Sequence, residues 1–129
     1  MFDGAADGLF ARKVDHQGAI AWAPALESFR QADEVVIRCD IPGVDPSDVR
    51  VKVEGQLLTI TGERKPPREI SDEAYSIRGV TYGRFERSVV LPEGIDPGAV
   101  KAAYQRGVLE ITVPRSATQQ TVSVSCDAA

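Results

Sequence analysis

The sequence predicts an all-β protein, a sandwich or a barrel of short strands, and three observations carry that prediction. Apolar and polar residues alternate with a period of two in several segments rich in β-branched side chains. Glycine- and proline-containing turns separate these segments. No long stretch shows the periodicity of an amphipathic helix. Strands at this spacing are typical of a sandwich or a barrel.

The alternating pattern recurs in order along the chain. The predicted strands are 34–41, 48–54, 57–63, 84–92, 100–105 and 108–113. In the first of them Ile37 and Cys39 lie on one face, and Val36 lies with the charged residues on the other. We interpret Cys39 as a small buried hydrophobe. In 84–92 a charged residue, Arg87, lies on an otherwise apolar face, which implies a carboxylate or carbonyl partner because an unpaired buried charge is costly.

The connections between these strands differ in length. The predicted tight hairpins are 54–56 and 105–107, and the predicted longer connections are 42–48 and 92–98. Residues 64–82 are too long for a hairpin and begin with a charged run, yet they contain a strand-like segment, 74–78. A loop of this length is usually functional or disordered, so it is a candidate functional element.

The domain organisation follows from where the pattern begins and ends. Residues 1–21 are small, polar and weakly patterned, and we expect a short flexible arm there. We expect the β-domain over 22–114 and a flexible C-terminal extension over 115–129. The chain of 129 residues is long enough for one domain with a substantial core.

The net charge indicates which kinds of binding partner to expect, and the cysteine content indicates the cellular compartment. The 15 Lys and Arg against 19 Asp and Glu give a net charge of −4, which argues against a nucleic-acid partner. No run is long and apolar enough to cross a membrane, and no signal peptide is expected. We expect Cys39 and Cys126 to be unpaired, which indicates a reducing compartment, and the cytoplasm is the expected location.

The residues needed for catalysis are scarce. The single histidine, His16, lies in the expected arm, so a Ser-His-Asp site would depend on a residue that is not held in place. There is no metal-binding cysteine or histidine pattern and no phosphate-binding glycine loop. The sequence therefore predicts a binding protein without enzymatic activity, metal or cofactor.

Four stretches, read together, resemble the small heat-shock proteins of the α-crystallin-domain family, of the bacterial type. They are "WAPALESFRQADEVVIRCDIPGV" (22–44), "LLTITGER" (57–64), "YGRFERSVVLPEGID" (82–96) and "AAYQRGVLEITVP" (102–114). They occur in the family's order and spacing. The resemblance implies an immunoglobulin-like antiparallel β-sandwich with a strand-exchanging loop, and the function of an ATP-independent holdase that binds unfolded client proteins.

The resemblance also implies a groove and a docking motif. The groove lies between the strands 48–54 and 100–105, and its lining would comprise Val49, Val51, Val53, Val100, Ala102 and Tyr104. In the family an Ile-x-Ile/Val tripeptide beyond the domain fills this groove on a neighbouring subunit. Here Val122 and Val124 take those positions, which leaves less apolar area for each contact.

The long loop has a role by the same resemblance. In such proteins it adds its strand to the partner's sheet, so 74–78 would pair with the region around 22–30 of a second copy and form a homodimer, which can build higher oligomers. The interface residues implied are Trp22, Tyr75, Ile77, Arg78 and Arg87.

Two other functions fit a β-sandwich without reactive residues. One is a co-chaperone that docks on a larger chaperone. The other is a carbohydrate-binding module, which needs an exposed aromatic platform, and Trp22 is the only large candidate for one.

Overall fold

The computed structural model describes residues 19–116, which form an all-β domain. The strands are β1 (Ile20–Trp22), β2 (Leu26–Gln31), β3 (Glu34–Asp40), β4 (Val49–Glu54), β5 (Leu57–Arg64), β6 (Gly83–Val90), β7 (Lys101–Gln105) and β8 (Val108–Pro114). Three single turns of 3-10 helix interrupt the loops at Pro46–Asp48, Asp72–Ala74 and Pro97–Ala99. Within residues 19–116 there is no α-helix.

Two four-stranded sheets stack face to face, so the predicted all-β class is confirmed and the architecture is a sandwich. One sheet has the order β1-β6-β5-β4 and the other the order β2-β3-β8-β7. All pairings are antiparallel except that between β1 and β6, which run parallel. The edge strands of the two sheets are therefore β1 and β4, and β2 and β7.

The core lies between the two sheets and is built from the inward-facing positions that the alternation predicts. Its fully buried members come mainly from the central strands β3, β5, β6 and β8: Ile37, Cys39, Leu58, Ile60, Phe85, Ile111 and Val113. Cys39 is fully buried, as the sequence predicts. Arg87 faces inward beside this core, opposite Ile60 on β5.

One apolar residue is buried on the opposite, outer face of a sheet. Val36 alternates out of the core, as the sequence predicts, yet only 5% of its surface is exposed. Its cross-strand neighbours are Phe29 on β2 and Thr112 on β8. The larger neighbour Phe29 is itself 41% exposed, so this outer face carries a small apolar cluster at its edge strand.

A glycine on β5 sets how closely β4 approaches the core. A Cβ atom added to Gly62 would lie 2.5 Å from the Asp48 carbonyl oxygen and 2.6 Å from the Phe85 ring. Real Cβ atoms essentially never come so close to other atoms. The 3-10 turn before β4 therefore packs directly on the backbone of β5, and a side chain at position 62 would push it outward.

The structure adds two strands to those predicted and lacks one strand-like segment. β1 and β2 precede the first predicted strand, and β1 begins at Ile20, inside the stretch 1–21 that the sequence assigns to an arm. The segment 74–78 is not a strand in the single chain: Ala74 ends a 3-10 turn, and the residues after it are irregular. An isolated strand cannot satisfy its own backbone groups, so this segment would need a neighbouring strand to become extended.

Candidate binding groove and exchange loop

The sandwich has two sides, and the predicted site residues fall on both. β1 and β2 are edge strands of different sheets and are joined by only residues 23–25, so they lie on the same side. β4 and β7 are the opposite edges and therefore lie together on the other side. We call these the β1/β2 side and the β4/β7 side.

The first wall of the predicted groove is the inner face of β4. Val49, Val51 and Val53 alternate with exposed residues along this strand, and each is half-buried against the core. β4 pairs with β5 along one edge, and no strand among residues 19–116 pairs with its other edge. The structure thus places the three valines on the inner face of an edge strand.

The second wall is β7, where the predicted residues are less uniform. Val100 and Tyr104 pack against the core, but Ala102 is exposed. The Tyr104 hydroxyl donates a hydrogen bond to the Ile41 carbonyl at 2.9 Å, which ties this edge strand to the turn after β3. As with β4, only one edge of β7 is paired with a neighbouring strand within residues 19–116.

The β1/β2 side is held by directed hydrogen bonds. Arg87 donates to the Pro24 carbonyl at 2.8 Å, so the carbonyl partner implied by its position on an apolar face is found within the same chain. Pro24 is buried and lies in the short connection between β1 and β2. Arg87 therefore fixes the segment that leads into β2, whose outer edge has no neighbouring strand among residues 19–116.

Trp22 anchors β1 in the same way. Its indole Nε1 donates to the Gly83 carbonyl at 3.1 Å, and its ring lies 5.2 Å from that of Phe85, centroid to centroid. Trp22 is half-buried against the core rather than displayed on the surface. It does not form the exposed platform that a carbohydrate-binding module needs.

The loop between β5 and β6 carries most of the exposed apolar surface near this side. Ile77 is 87% exposed, Val80 is 53% exposed, and Ile70 is also exposed. Tyr75, by contrast, is half-buried.

Local contacts organise the middle of this loop. Arg78 donates to the Asp72 carboxylate at 2.7 Å, and its guanidinium carbon lies 4.4 Å from the centroid of the Tyr75 ring. The hydrogen bond to Asp72 raises the pKa of Arg78, which stays charged at every physiological pH. Three of the predicted interface residues, Tyr75, Ile77 and Arg78, thus lie in one exposed loop, while Trp22 lies on the edge strand β1 and Arg87 on the adjacent strand β6.

Cys39 has no reactive character. Burial raises the pKa of its thiol from 9.0 to about 11, and this outweighs the opposing effect of the nearby Arg87 charge. The thiol therefore remains protonated at neutral pH, and a protonated buried thiol is a poor nucleophile.

Other kinds of site can be described for residues 19–116 only. In this range no group of three or more His, Cys, Asp or Glu side chains is placed to hold a metal ion. None of the helical turns there is long enough to cross a membrane. His16, Cys126 and the predicted docking residues Val122 and Val124 lie outside the described residues.

The model of the Hsp20/alpha crystallin family matches residues 27–125 of this sequence. The chain belongs to that family. The match begins within β2, covers all later strands, and extends over the residues that carry the predicted docking motif, so the resemblance noted in the sequence is confirmed.

Curated relatives of this small heat-shock protein come from bacteria and plants. It is 32% identical over 102 residues to spore protein SP21 of Stigmatella aurantiaca, covering 79% of this chain and 60% of that protein. It is 40% identical over 98 residues to the 19.0 kDa class II heat shock protein of Oryza sativa subsp. japonica, covering 70% and 55% respectively. The chain thus spans a little over half the length of these relatives.

Solved structures of the family have the same fold. A small heat-shock protein from Xylella fastidiosa aligns with a TM-score of 0.72 at 30% identity, covering 81% of this chain and 96% of that one. The hspA protein of Xanthomonas axonopodis aligns with a TM-score of 0.67 at 35% identity, covering 73% and 94%. These alignments agree with the immunoglobulin-like sandwich of the α-crystallin domain.

Two features of the site escape the sequence reasoning. β2 escapes because its two large apolar residues, Leu26 and Phe29, lie on opposite faces of the strand, so its sequence shows no period of two. The second feature is the role of Arg64, the last residue of the segment 57–64. Its guanidinium makes hydrogen bonds to two distant parts of the chain. No sequence pattern identifies backbone carbonyls as partners, so this role becomes visible only in the fold.

Proposed function

We propose that this small heat-shock protein is an ATP-independent chaperone that holds partly unfolded proteins and limits their aggregation under stress. The observation that carries the proposal is the placement of apolar side chains at open strand edges: the β4 valines on one side and the exposed loop on the other. Unfolded proteins expose apolar segments with free backbone groups, and an open edge beside an apolar face is complementary to both.

The groove on the β4/β7 side is the proposed site for extended chains. A client segment, or Val122 and Val124 of a neighbouring subunit, would lie along the half-buried faces of β4 and β7. Each apolar side chain that the groove covers contributes about 25 cal/mol for every Å2 removed from water. Because valine has less area than isoleucine, the tail would dock weakly, and clients could displace it.

The building block is proposed to be a homodimer formed by strand exchange on the β1/β2 side. The segment 74–78 would add to the free edge of β2 in the partner, and that addition would bury Ile77. Two observations support this: within the described residues the outer edge of β2 has no neighbouring strand, and the loop leaves the aliphatic side chains of Ile77 and Val80 in solvent. Arg87 and Trp22 would hold the receiving segment in place.

The holdase activity is tested by heating a labile enzyme with and without the full-length protein and following light scattering. We expect scattering to be suppressed near a one-to-one subunit ratio, equally with and without ATP. Unchanged scattering at that ratio would contradict the proposal. If a pull-down captured one large chaperone instead of many denatured proteins, the co-chaperone function would replace it.

The dimer is tested separately by sedimentation equilibrium over a range of concentrations. We expect a species of at least two subunits at micromolar concentration. A monomer at all concentrations would rule out strand exchange while leaving the groove as a client site.

A further inference from the structure

Arg64 is the last residue of β5, where the exchange loop leaves the sandwich. Its Nε and Nη2 atoms donate to the Thr81 carbonyl at 2.9 and 2.7 Å, just before the chain re-enters the sandwich as β6. One side chain therefore ties together the two ends of the loop. The loop between these ends carries the exposed Ile77 and Val80.

The same guanidinium reaches two further elements. Its Nη1 donates to the Pro42 carbonyl at 3.1 Å, in the turn that follows β3. Its central carbon lies 4.1 Å from the centroid of the Trp22 ring and 5.8 Å from that of Tyr82. At 4.1 Å a guanidinium over an indole face is a cation–π contact. Arg64 thus joins the loop base, the turn after β3 and strand β1.

The chain around the returning end of the loop is tightly packed. Gly83 has φ of +120°, a conformation that other residues rarely adopt, and a Cβ atom added there would lie 2.9 Å from the Cβ of Ala21. The Gly83 carbonyl also accepts the indole hydrogen bond of Trp22. The base of the loop is therefore built to one geometry, in contrast with its exposed middle.

We propose that Arg64 is a positioning residue that clamps the base of the 65–82 loop and so sets the direction in which the loop projects from the sandwich. This inference rests on the proposed strand exchange. A loop with a fixed base loses less conformational freedom when its middle joins a partner, and this preorganisation strengthens association. A guanidinium suits the role because its planar fork donates in several directions at once, whereas a lysine ammonium cannot hold the same geometry.

The experiment compares wild type with Arg64→Lys and Arg64→Met, using 15N relaxation to measure backbone order parameters and sedimentation to measure the dimer dissociation constant. In wild type we expect order parameters at 81–83 of about 0.85, the value of rigid backbone. In Arg64→Met they should fall below about 0.6, with Arg64→Lys between the two. The dissociation constant should rise about tenfold in Arg64→Met, the effect of losing one hydrogen bond to a charged group.

Arg38→Lys is the control, since Arg38 is another arginine with several contacts, here to Glu27 and Glu110, but lies on the outer face of the other sheet. It should leave the order parameters at 81–83 and the dissociation constant unchanged. The sole tryptophan, Trp22, supplies a second local signal: its quenching by acrylamide should increase in Arg64→Met and not in Arg38→Lys.

The outcomes separate the two proposals. Unchanged order parameters in both Arg64 variants would overturn the clamp. Lower order parameters with an unchanged dissociation constant would overturn the positioning role. If Arg64→Met does not fold, Arg64→Lys decides between these outcomes. If the wild-type protein is a monomer, the strand exchange fails, and the order parameters still decide whether Arg64 fixes the loop base.

Discussion

The two sides of the sandwich present their open edges in different ways. On the β4/β7 side the edge strands offer half-buried valines, and the Tyr104 hydroxyl donates a hydrogen bond to the Ile41 carbonyl, which ties β7 to the turn after β3. On the β1/β2 side, Trp22, Arg64 and Arg87 donate hydrogen bonds to backbone carbonyls of distant segments. An apolar edge suits varied and reversible occupants, because hydrophobic contact is non-directional. An edge held by directed hydrogen bonds suits one partner in one register.

The largest effect should come from removing an anchor on the β1/β2 side. In Arg87→Ala the buried Pro24 carbonyl loses its donor, and an unsatisfied buried acceptor costs about 1–3 kcal/mol. We expect the free energy of unfolding to fall by about 2 kcal/mol, with weaker dimerisation. Urea denaturation and sedimentation measure these changes.

Arg50→Ala is the control for that substitution, since Arg50 is exposed on the outer face of β4. It should change neither quantity. If Arg87→Ala behaved like Arg50→Ala, the two sides would not differ in the way the hydrogen bonds indicate.

The next effect should appear in the exposed loop. Ile77→Asp places a charge where an apolar side chain would be buried in the dimer, so the dimer dissociation constant should rise at least about tenfold. The stability of the monomer should not change, because Ile77 is 87% exposed. The matched control is Val90→Asp, at a site on β6 that is 75% exposed. Equal dimerisation of the two variants, measured by sedimentation, would exclude Ile77 from the interface.

A smaller effect is expected on the β4/β7 side. Val51→Thr replaces a methyl group of the groove with a hydroxyl at nearly the same volume, which costs about 1 kcal/mol of apolar contact. The amount of chaperone needed to suppress light scattering by half should rise about fivefold, with the dimer intact. Lys52→Thr changes the exposed face of the same strand and should have no effect. A dimer weakened by Val51→Thr would show that the two sides are not separate.

The smallest effect at neutral pH concerns the core that both sides share, because it appears only in alkali. The pKa of the Cys39 thiol is about 11 in the folded protein, against 9.0 ordinarily. Between these pH values the unfolded chain loses its thiol proton while the folded chain keeps it, so stability falls as pH rises. Cys39→Val should lose less stability than wild type over this interval and the same amount below pH 9. The free energy of unfolding is measured by urea denaturation at each pH. If it changed equally with pH in wild type and Cys39→Val, the raised pKa of Cys39 would be contradicted.

The sandwich could be predicted from the sequence because its central strands alternate strongly. The segments around Ile37, Leu58 and Ile111 bury one face, so apolar residues occupy every second position and the pattern predicts a strand. β2 could not be found in this way, because its two large apolar residues, Leu26 and Phe29, lie on opposite faces and give no period of two. β1 is too short, at Ile20–Trp22, to show a period at all.

The candidate site was predictable only in part. The β4 valines and the exposed Ile77 follow from local pattern and from the family resemblance. The segment 74–78 is predicted as a strand because its composition suits one, yet a strand forms only beside another strand, and the part of the chain that the structure describes provides none there. The proposed clamp at Arg64 depends on backbone carbonyls that come close to it only in the folded domain. Because every residue has a backbone carbonyl, the sequence does not show which ones will accept its hydrogen bonds.

Gly62 shows that a missing side chain can set the dimensions of a binding surface. With only hydrogen at that position, the turn before β4 rests against the β5 backbone, and the first valine of the groove is held at a fixed height above the core. Even alanine at position 62 would push the turn before β4, and with it the start of β4, away from the β5 backbone. A substitution at Gly62 would therefore change the width of the proposed groove, and with it the chains that could fit, without altering any residue proposed to contact them.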